Sequence, residues 1–169
     1  LKRQLQSNRV ISQATLNRNL FAEGITIVGD KLYQLTWKAQ KGIIYEKSTL
    51  NPLTSFSYKG EGWGLSNNGS ELILSNGTDK LQFINPATFL VNRAISVTFN
   101  GKPVDQINEL EWVNGRIYAN IWRTNTIVII NPTDGEIIAY VNLSKLLATG
   151  LRTRKTDVLN GIAFDPLQQ

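Results

Sequence analysis

Apolar residues in this chain come in short bursts, such as Ile43-Ile44-Tyr45, Leu72-Ile73-Leu74, Phe83-Ile84 and Ile129-Ile130. Three of these bursts run into turn formers: Glu46-Lys47-Ser48-Thr49, Asn85-Pro86-Ala87-Thr88 and Asn131-Pro132-Thr133-Asp134-Gly135. Proline fixes φ and glycine reaches positive φ, so Asn-Pro and Asp-Gly pairs punctuate strands strongly. Helical periodicity is nearly absent, and residues 144–151 form the one predicted helix, a short one. The pattern predicts an all-β chain.

The bursts also repeat. Asp30-Lys31-Leu32-Tyr33 followed by Trp37 matches Gly115-Arg116-Ile117-Tyr118 followed by Trp122, and Ser70-Glu71-Leu72-Ile73-Leu74 fits the same slot. Each unit opens alike: Glu23-Gly24-Ile25-Thr26, Trp63-Gly64-Leu65-Ser66, Asn108-Glu109-Leu110-Glu111 and Asn160-Gly161-Ile162-Ala163, at spacings of 40, 45 and 52 residues. Short strands repeated at roughly 40 to 50 residues are the mark of β-propeller blades. Three full blades are expected near residues 21–59, 60–106 and 107–156. Residues 1–20 read as the outer strands of another blade, with Val10-Ile11 in one of them, and 157–169 as the opening strand of a further one. A propeller closes its ring, because an open one leaves unpaired edges and an uncovered face. The chain therefore reads as an incomplete ring, an excerpt in preference to two copies that complement each other's edges.

Within such a ring, equivalent positions on innermost strands converge on the mouth of a central channel. Glu23, Trp63, Asn108 and Asn160 share that slot, while Trp37 and Trp122 share another at the end of the following strand. Residue by residue, alternatives stay open. Glu23 could cap a turn or pair on the surface, Trp37 and Trp122 could be core, and Asn108 could only bond backbone at a blade junction. Asn160 is read in that junction role, Trp112 as blade packing, and Trp63 as reaching the channel because two glycines give its backbone room. Glu109 and Glu111 are the alternatives for a second carboxylate. The sequons at Asn68, Asn76 and Asn142 read as turn residues.

Composition narrows the chemistry. With 41% hydrophobic and 18% charged residues, the chain reads as globular. It has no cysteine and no histidine. Disulfides, thiol nucleophiles, Ser-His-Asp triads and nearly all zinc sites are thereby excluded from it. Acid–base work falls to carboxylates, amines, tyrosines or backbone dipoles. The net charge of +5 raises nucleic acid as a partner. The basic residues are scattered, however, and are read as solvated surface. No apolar run is long enough for a membrane helix.

Six ordered motifs carry a resemblance: Phe21-Ala22-Glu23-Gly24, Tyr33-Gln34-Leu35-Thr36-Trp37, Gly62-Trp63-Gly64-Leu65, Asn108-Glu109-Leu110-Glu111-Trp112, Tyr118-Ala119-Asn120-Ile121-Trp122 and Val158-Leu159-Asn160-Gly161-Ile162-Ala163. Together they resemble the glutamine cyclotransferase family, the plant and bacterial glutaminyl cyclases. The resemblance implies a five-bladed propeller that converts N-terminal glutamine of peptides or proteins to pyroglutamate with release of ammonia, without metal or other cofactor. It implies Glu23 as the catalytic acid–base, Phe21, Trp37, Trp63 and Trp122 as aromatic walls of the substrate pocket, and Asn108 as a substrate-holding residue. The family's opening blade carries a Phe-Thr-Gln-Gly motif and its final blade a lysine after Val-Thr-Gly; residues 1–169 contain neither motif. Implied further are a monomer once the ring is complete, a secreted or periplasmic setting, and peptide partners with no nucleic acid or membrane among them. The alternative is a non-catalytic propeller that binds protein partners through its faces.

Overall fold

The computed structural model describes residues 1–4 and 6–165, with the side chain of residue 149 left aside. Its strands are β1 (Lys2–Arg3), β2 (Val10–Ser12), β3 (Ala22–Val28), β4 (Lys31–Thr36), β5 (Lys41–Glu46), β6 (Pro52–Ser57), β7 (Leu65–Asn67), β8 (Leu72–Ser75), β9 (Lys80–Ile84), β10 (Val91–Ser96), β11 (Thr98–Phe99), β12 (Lys102–Pro103), β13 (Ile107–Val113), β14 (Arg116–Ile121), β15 (Thr126–Ile130) and β16 (Ile137–Asn142). They form three four-stranded sheets, β3 to β6, β7 to β10 and β13 to β16, plus the hairpins β1–β2 and β11–β12. Pairing is antiparallel and follows chain order within each sheet. The fold is all-β, and the three sheets stand side by side as propeller blades do, with inner strand β7 lying between β3 and β13.

The middle sheet shows how a period of two builds two cores at once. All four residues of β8 are buried. Leu72 and Leu74 point to one face and join Leu65, Tyr33, Leu35, Ile44 and Phe56 against the first sheet. Ile73 points to the other face and joins Leu81, Phe83, Ile117, Ala119 and Val128 against the third. Alternate side chains of a strand leave on opposite faces, so a sheet covered on both sides reads as an unbroken apolar run. The outermost strands β6, β10 and β16 carry mostly exposed residues.

The turn after the third strand is the same in every sheet. Leu50, Phe89 and Gly135 donate their N–H to Glu46, Asn85 and Asn131 carbonyls at 2.8, 2.8 and 2.9 Å. All three turn residues have positive φ, 63°, 59° and 83°. Glycine adopts that conformation freely; leucine and phenylalanine do so at a cost, offset where packing holds them. Phe89 stacks on Phe56 with centroids 4.5 Å apart, and Leu50 is buried.

One expectation differs from the structure. Residues 144–151 form successive turns ending in a 3₁₀ turn at Thr149–Leu151, with Leu146 bonded to Leu143 and Leu151 to Ala148. Eight residues give too few hydrogen bonds to offset nucleation of an α-helix without a packed apolar face. Residues 157–165 run without strand pairing, since an opening strand needs a second strand of its own sheet and the described residues supply none there. Residues 166–169 of that expected strand lie outside the described residues.

Candidate active site

The inner strands do not run straight into the site. In β3, Ala22 faces Thr36 and Ile25 faces Gln34, so one extra residue is inserted at Glu23-Gly24. In β13, Ile107 faces Ile121 and Leu110 faces Ala119, which inserts one at Asn108-Glu109. Ahead of β7, Ser75 bonds two residues at once, receiving the Trp63 N–H and donating its own N–H to Gly64. A β-bulge locally breaks the alternation of a strand and re-aims one side chain. Three sheets thus carry the same irregularity at Glu23, Trp63 and Asn108.

Glycine makes these bulges close enough to touch. A Cβ on Gly24 would lie 2.5 Å from the Leu65 nitrogen, and one on Gly64 would lie 2.1 Å from the Asn108 carbonyl oxygen. The two glycines flanking Trp63 therefore answer crowding and not spare room, because a Cβ on Gly62 would meet the Tyr58 hydroxyl at 2.5 Å. The Gly24 N–H donates to the Trp63 carbonyl at 2.7 Å, Gly62 to Trp37 at 2.9 Å and Trp37 to Phe21 at 3.0 Å. Between the second and third sheets, Ser75 Oγ accepts from Gly64 at 2.8 Å and donates to the Asn108 carbonyl at 2.6 Å. Backbone bonds join the sheets where the site residues stand.

Phe21, Glu23, Trp37, Trp63, Asn108 and Trp122 line one cavity of about 390 Å³, together with Asp157, Val158 and Asn160. The structure brings those six anticipated residues together there. Trp37 and Trp122 sit immediately after β4 and β14, in equivalent places. Phe21 meets Trp37 edge-on at 6.1 Å, and Trp63 meets Trp122 edge-on at 5.3 Å. A cation that follows in the chain lies over each of two indoles, Lys38 at 4.1 Å from the Trp37 ring and Arg123 at 4.2 Å from that of Trp122. Asn108 is buried. Trp112 packs against the core of the third sheet. The junction bond expected of Asn160 is made by Asn120, whose Oδ1 accepts from the Gly161 N–H at 3.1 Å.

Glu23 is half-buried, and its carboxyl is held above the ordinary glutamate range, first by burial and then by the negative charge of Glu61. Glu109 and Glu111 line a different cavity, with Trp112 and Phe164. Burial pushes the Glu109 carboxyl up to about 7; the Leu110 N–H works against this, and the charges of Glu111 and Glu23 add to it. Among the described residues no set of three carboxylates converges to hold a metal ion.

One participant escapes sequence reading. Oε2 of Glu61 accepts the indole N–H of Trp37 at 2.7 Å and that of Trp63 at 2.9 Å. Those donors hold the Glu61 carboxyl below the ordinary range, with help from Lys38 Nζ at 3.9 Å. Gly60-Glu61-Gly62 reads as an acidic loop tip, and only its placement before Trp63 hints at more.

The arrangement offers a carboxylate tuned toward neutral pH, a buried amide and aromatic faces suited to methylenes or an ammonium group. A glutaminyl-peptide cyclotransferase of Arabidopsis thaliana is 35% identical to this chain over 168 residues, which is 98% of the chain and 52% of the relative. The crystal structure of Myxococcus xanthus glutaminyl cyclase superposes with a TM-score of 0.82 at 38% identity, covering 88% of this chain and 65% of that one. The chain thus spans about half the length of its curated relative. The family model for glutamine cyclotransferase matches residues 1–169 from end to end. The chain belongs to the glutamine cyclotransferase family.

Proposed function

We propose that the chain is the part of a glutaminyl-peptide cyclotransferase that carries the catalytic carboxylate and most of the aromatic pocket. The reading rests above all on one observation: Glu23 shares a cavity with Phe21, Trp37, Trp63, Asn108 and Trp122. In the reaction the α-amine of an N-terminal glutamine attacks its own side-chain Cδ. A new N–Cδ bond forms, the Cδ–Nε2 bond breaks and ammonia leaves. Both reactants belong to one residue, so the protein must hold a folded conformer, move a proton and stabilise an oxyanion.

An α-ammonium titrates near a reference value of about 7.7–8.0, so freeing the amine near neutral pH costs only about a kcal/mol. Once the amine is free, Glu23 accepts the proton that its nitrogen sheds on bonding to Cδ and delivers it to the departing nitrogen. Its raised pKa brings it closer to both, which improves it as a shuttle. The indoles pack the glutamine methylenes, with about 0.5–2 kcal/mol from cation–π attraction while the amine is charged. Asn108 presents its amide to the substrate. The reading includes a ring of five blades, with residues 1–20 and 157–169 in the flanking ones, peptide substrates, a monomer and no metal.

Ammonia release from a glutaminyl dipeptide by the whole protein tests this. Glu23→Gln should lower kcat by about 100-fold or more while the fold survives. Full activity in that variant, or none in the folded parent protein, ends the reading.

A further inference from the structure

A single oxygen ties two walls of the pocket together. Trp37 follows the second strand of the first sheet, Trp63 opens the second sheet, and both indole N–H groups end on Glu61 Oε2. The other carboxylate oxygen faces Lys38, which also lies over the Trp37 ring. The loop is pinned on either side of the acid. Gly60 has φ of 83°, and Gly62 bonds the Trp37 carbonyl while lying against the Tyr58 hydroxyl. Tyr58 in turn donates to the Thr36 carbonyl and accepts from the Thr36 N–H at 3.1 Å, next to Trp37.

We propose that Glu61 is a positioning residue of the substrate pocket: its carboxylate anchors the indoles of Trp37 and Trp63 by their N–H edges and so turns their faces to the cavity. The proposal rests on the glutaminyl cyclase reading for what the pocket holds, but not for the anchoring itself. An indole rotates about two side-chain bonds, and an N–H bond to a charged acceptor is stronger than one to a neutral group. Two such bonds to one oxygen fix both rings relative to each other. Glu61 also places a negative charge near Glu23. Around Glu23 the other titratable groups are Tyr58, Glu109 and Asp157, and Lys38 stands beside Glu61.

Two measurements on the whole protein test this. In kinetics, Glu61→Ala should raise KM for a glutaminyl dipeptide about tenfold with kcat changed far less, the pattern of lost binding common to ground and transition states. Glu61→Gln keeps an acceptor oxygen and should recover much of that KM, yet its acid limb of kcat/KM should move to lower pH, because Glu23 has lost a negative neighbour. In tryptophan fluorescence, which needs no turnover, acid titration of the parent should show a step below the ordinary glutamate range as Glu61 takes up a proton. Glu61→Gln should lack the step, and Trp37→Phe, which keeps a ring but removes one donor, should reduce it. Superimposed titrations of parent and Glu61→Gln overturn the anchoring. Unchanged KM in Glu61→Ala with an unshifted limb in Glu61→Gln overturns the role in the pocket. A folded parent that releases no ammonia defeats the functional reading alone, and fluorescence then decides on the anchor.

Discussion

Four acids show how placement alone separates side chains of one type. Glu61 accepts two indole N–H groups and is held acidic, while Glu23, Glu109 and Glu111 are held above the ordinary range, with burial the leading cause. Glu109 is the extreme case, at about 7 against 4.5 in the open chain. Between those values the folded state binds more protons than the unfolded state, so stability falls as pH rises through the window. The full loss, reached above pH 7, is roughly 3 kcal/mol as an upper bound. Glu109→Gln should flatten this decline and stabilise the protein at pH 8, as urea unfolding at pH 5 and pH 8 would show; an unaltered pH dependence would contradict it. Glu23, Trp63 and Asn108 were legible as a set because the repeat gives them one slot, and Phe21, Trp37 and Trp122 because the motifs resemble a known family. Glu61 was not, since an acid between two glycines looks like any exposed loop tip until two N–H groups are seen to converge on it.

At the level of elements, the close approach of inner strands is the feature most exposed to mutation. Gly64→Ala would drive a Cβ into the Asn108 carbonyl, backbone against backbone, where no side chain can yield. The expected cost is about 1–3 kcal/mol or more. Because Ser75 Oγ bridges the same two residues, the variant should also displace Trp63 from the cavity. Thermal unfolding checks the first effect and near-ultraviolet circular dichroism the second; a variant as stable as the parent would refute the crowding argument. The strands and their turns were readable because Asn-Pro and Asp-Gly mark them chemically. What could not be read is that Leu50 and Phe89 hold the left-handed conformation Gly135 holds in the third sheet, since neither residue type favours it. The bulges were hidden too. Glu-Gly and Trp-Gly hint at them, but Asn108-Glu109 makes one without glycine. Short apolar segments such as residues 144–151 stay ambiguous, because their fate depends on what they pack against.

Across the whole molecule, the repeat makes one surface conspicuous. Ile25, Leu65 and Leu110 occupy the same position of three inner strands. Leu65 and Leu110 are each 1% exposed, closed over by the sheet before them, whereas Ile25 is 53% exposed. Ile27 beside it is also open to solvent. An uncovered pair at a position elsewhere buried should bind an apolar dye. Replacing both isoleucines with threonine in the 169-residue chain should reduce that fluorescence while leaving the two cores intact; equal dye binding would place the sticky surface elsewhere. The three sheets were foreseeable as a repeat from spacing alone, but which of their faces would be covered was not, because coverage depends on neighbours and not on the strand itself. The bulges have one more consequence at this scale. By adding a single residue, each lets the segment facing the cavity and the segment facing the core follow independent phases along the same strand. Substitutions at Glu23, Trp63 or Asn108 can therefore retune the pocket without disturbing sheet packing. Deletion of one residue there would iron out the bulge, leave the rest of the strand in its register and cost the pocket only the re-aimed side chain.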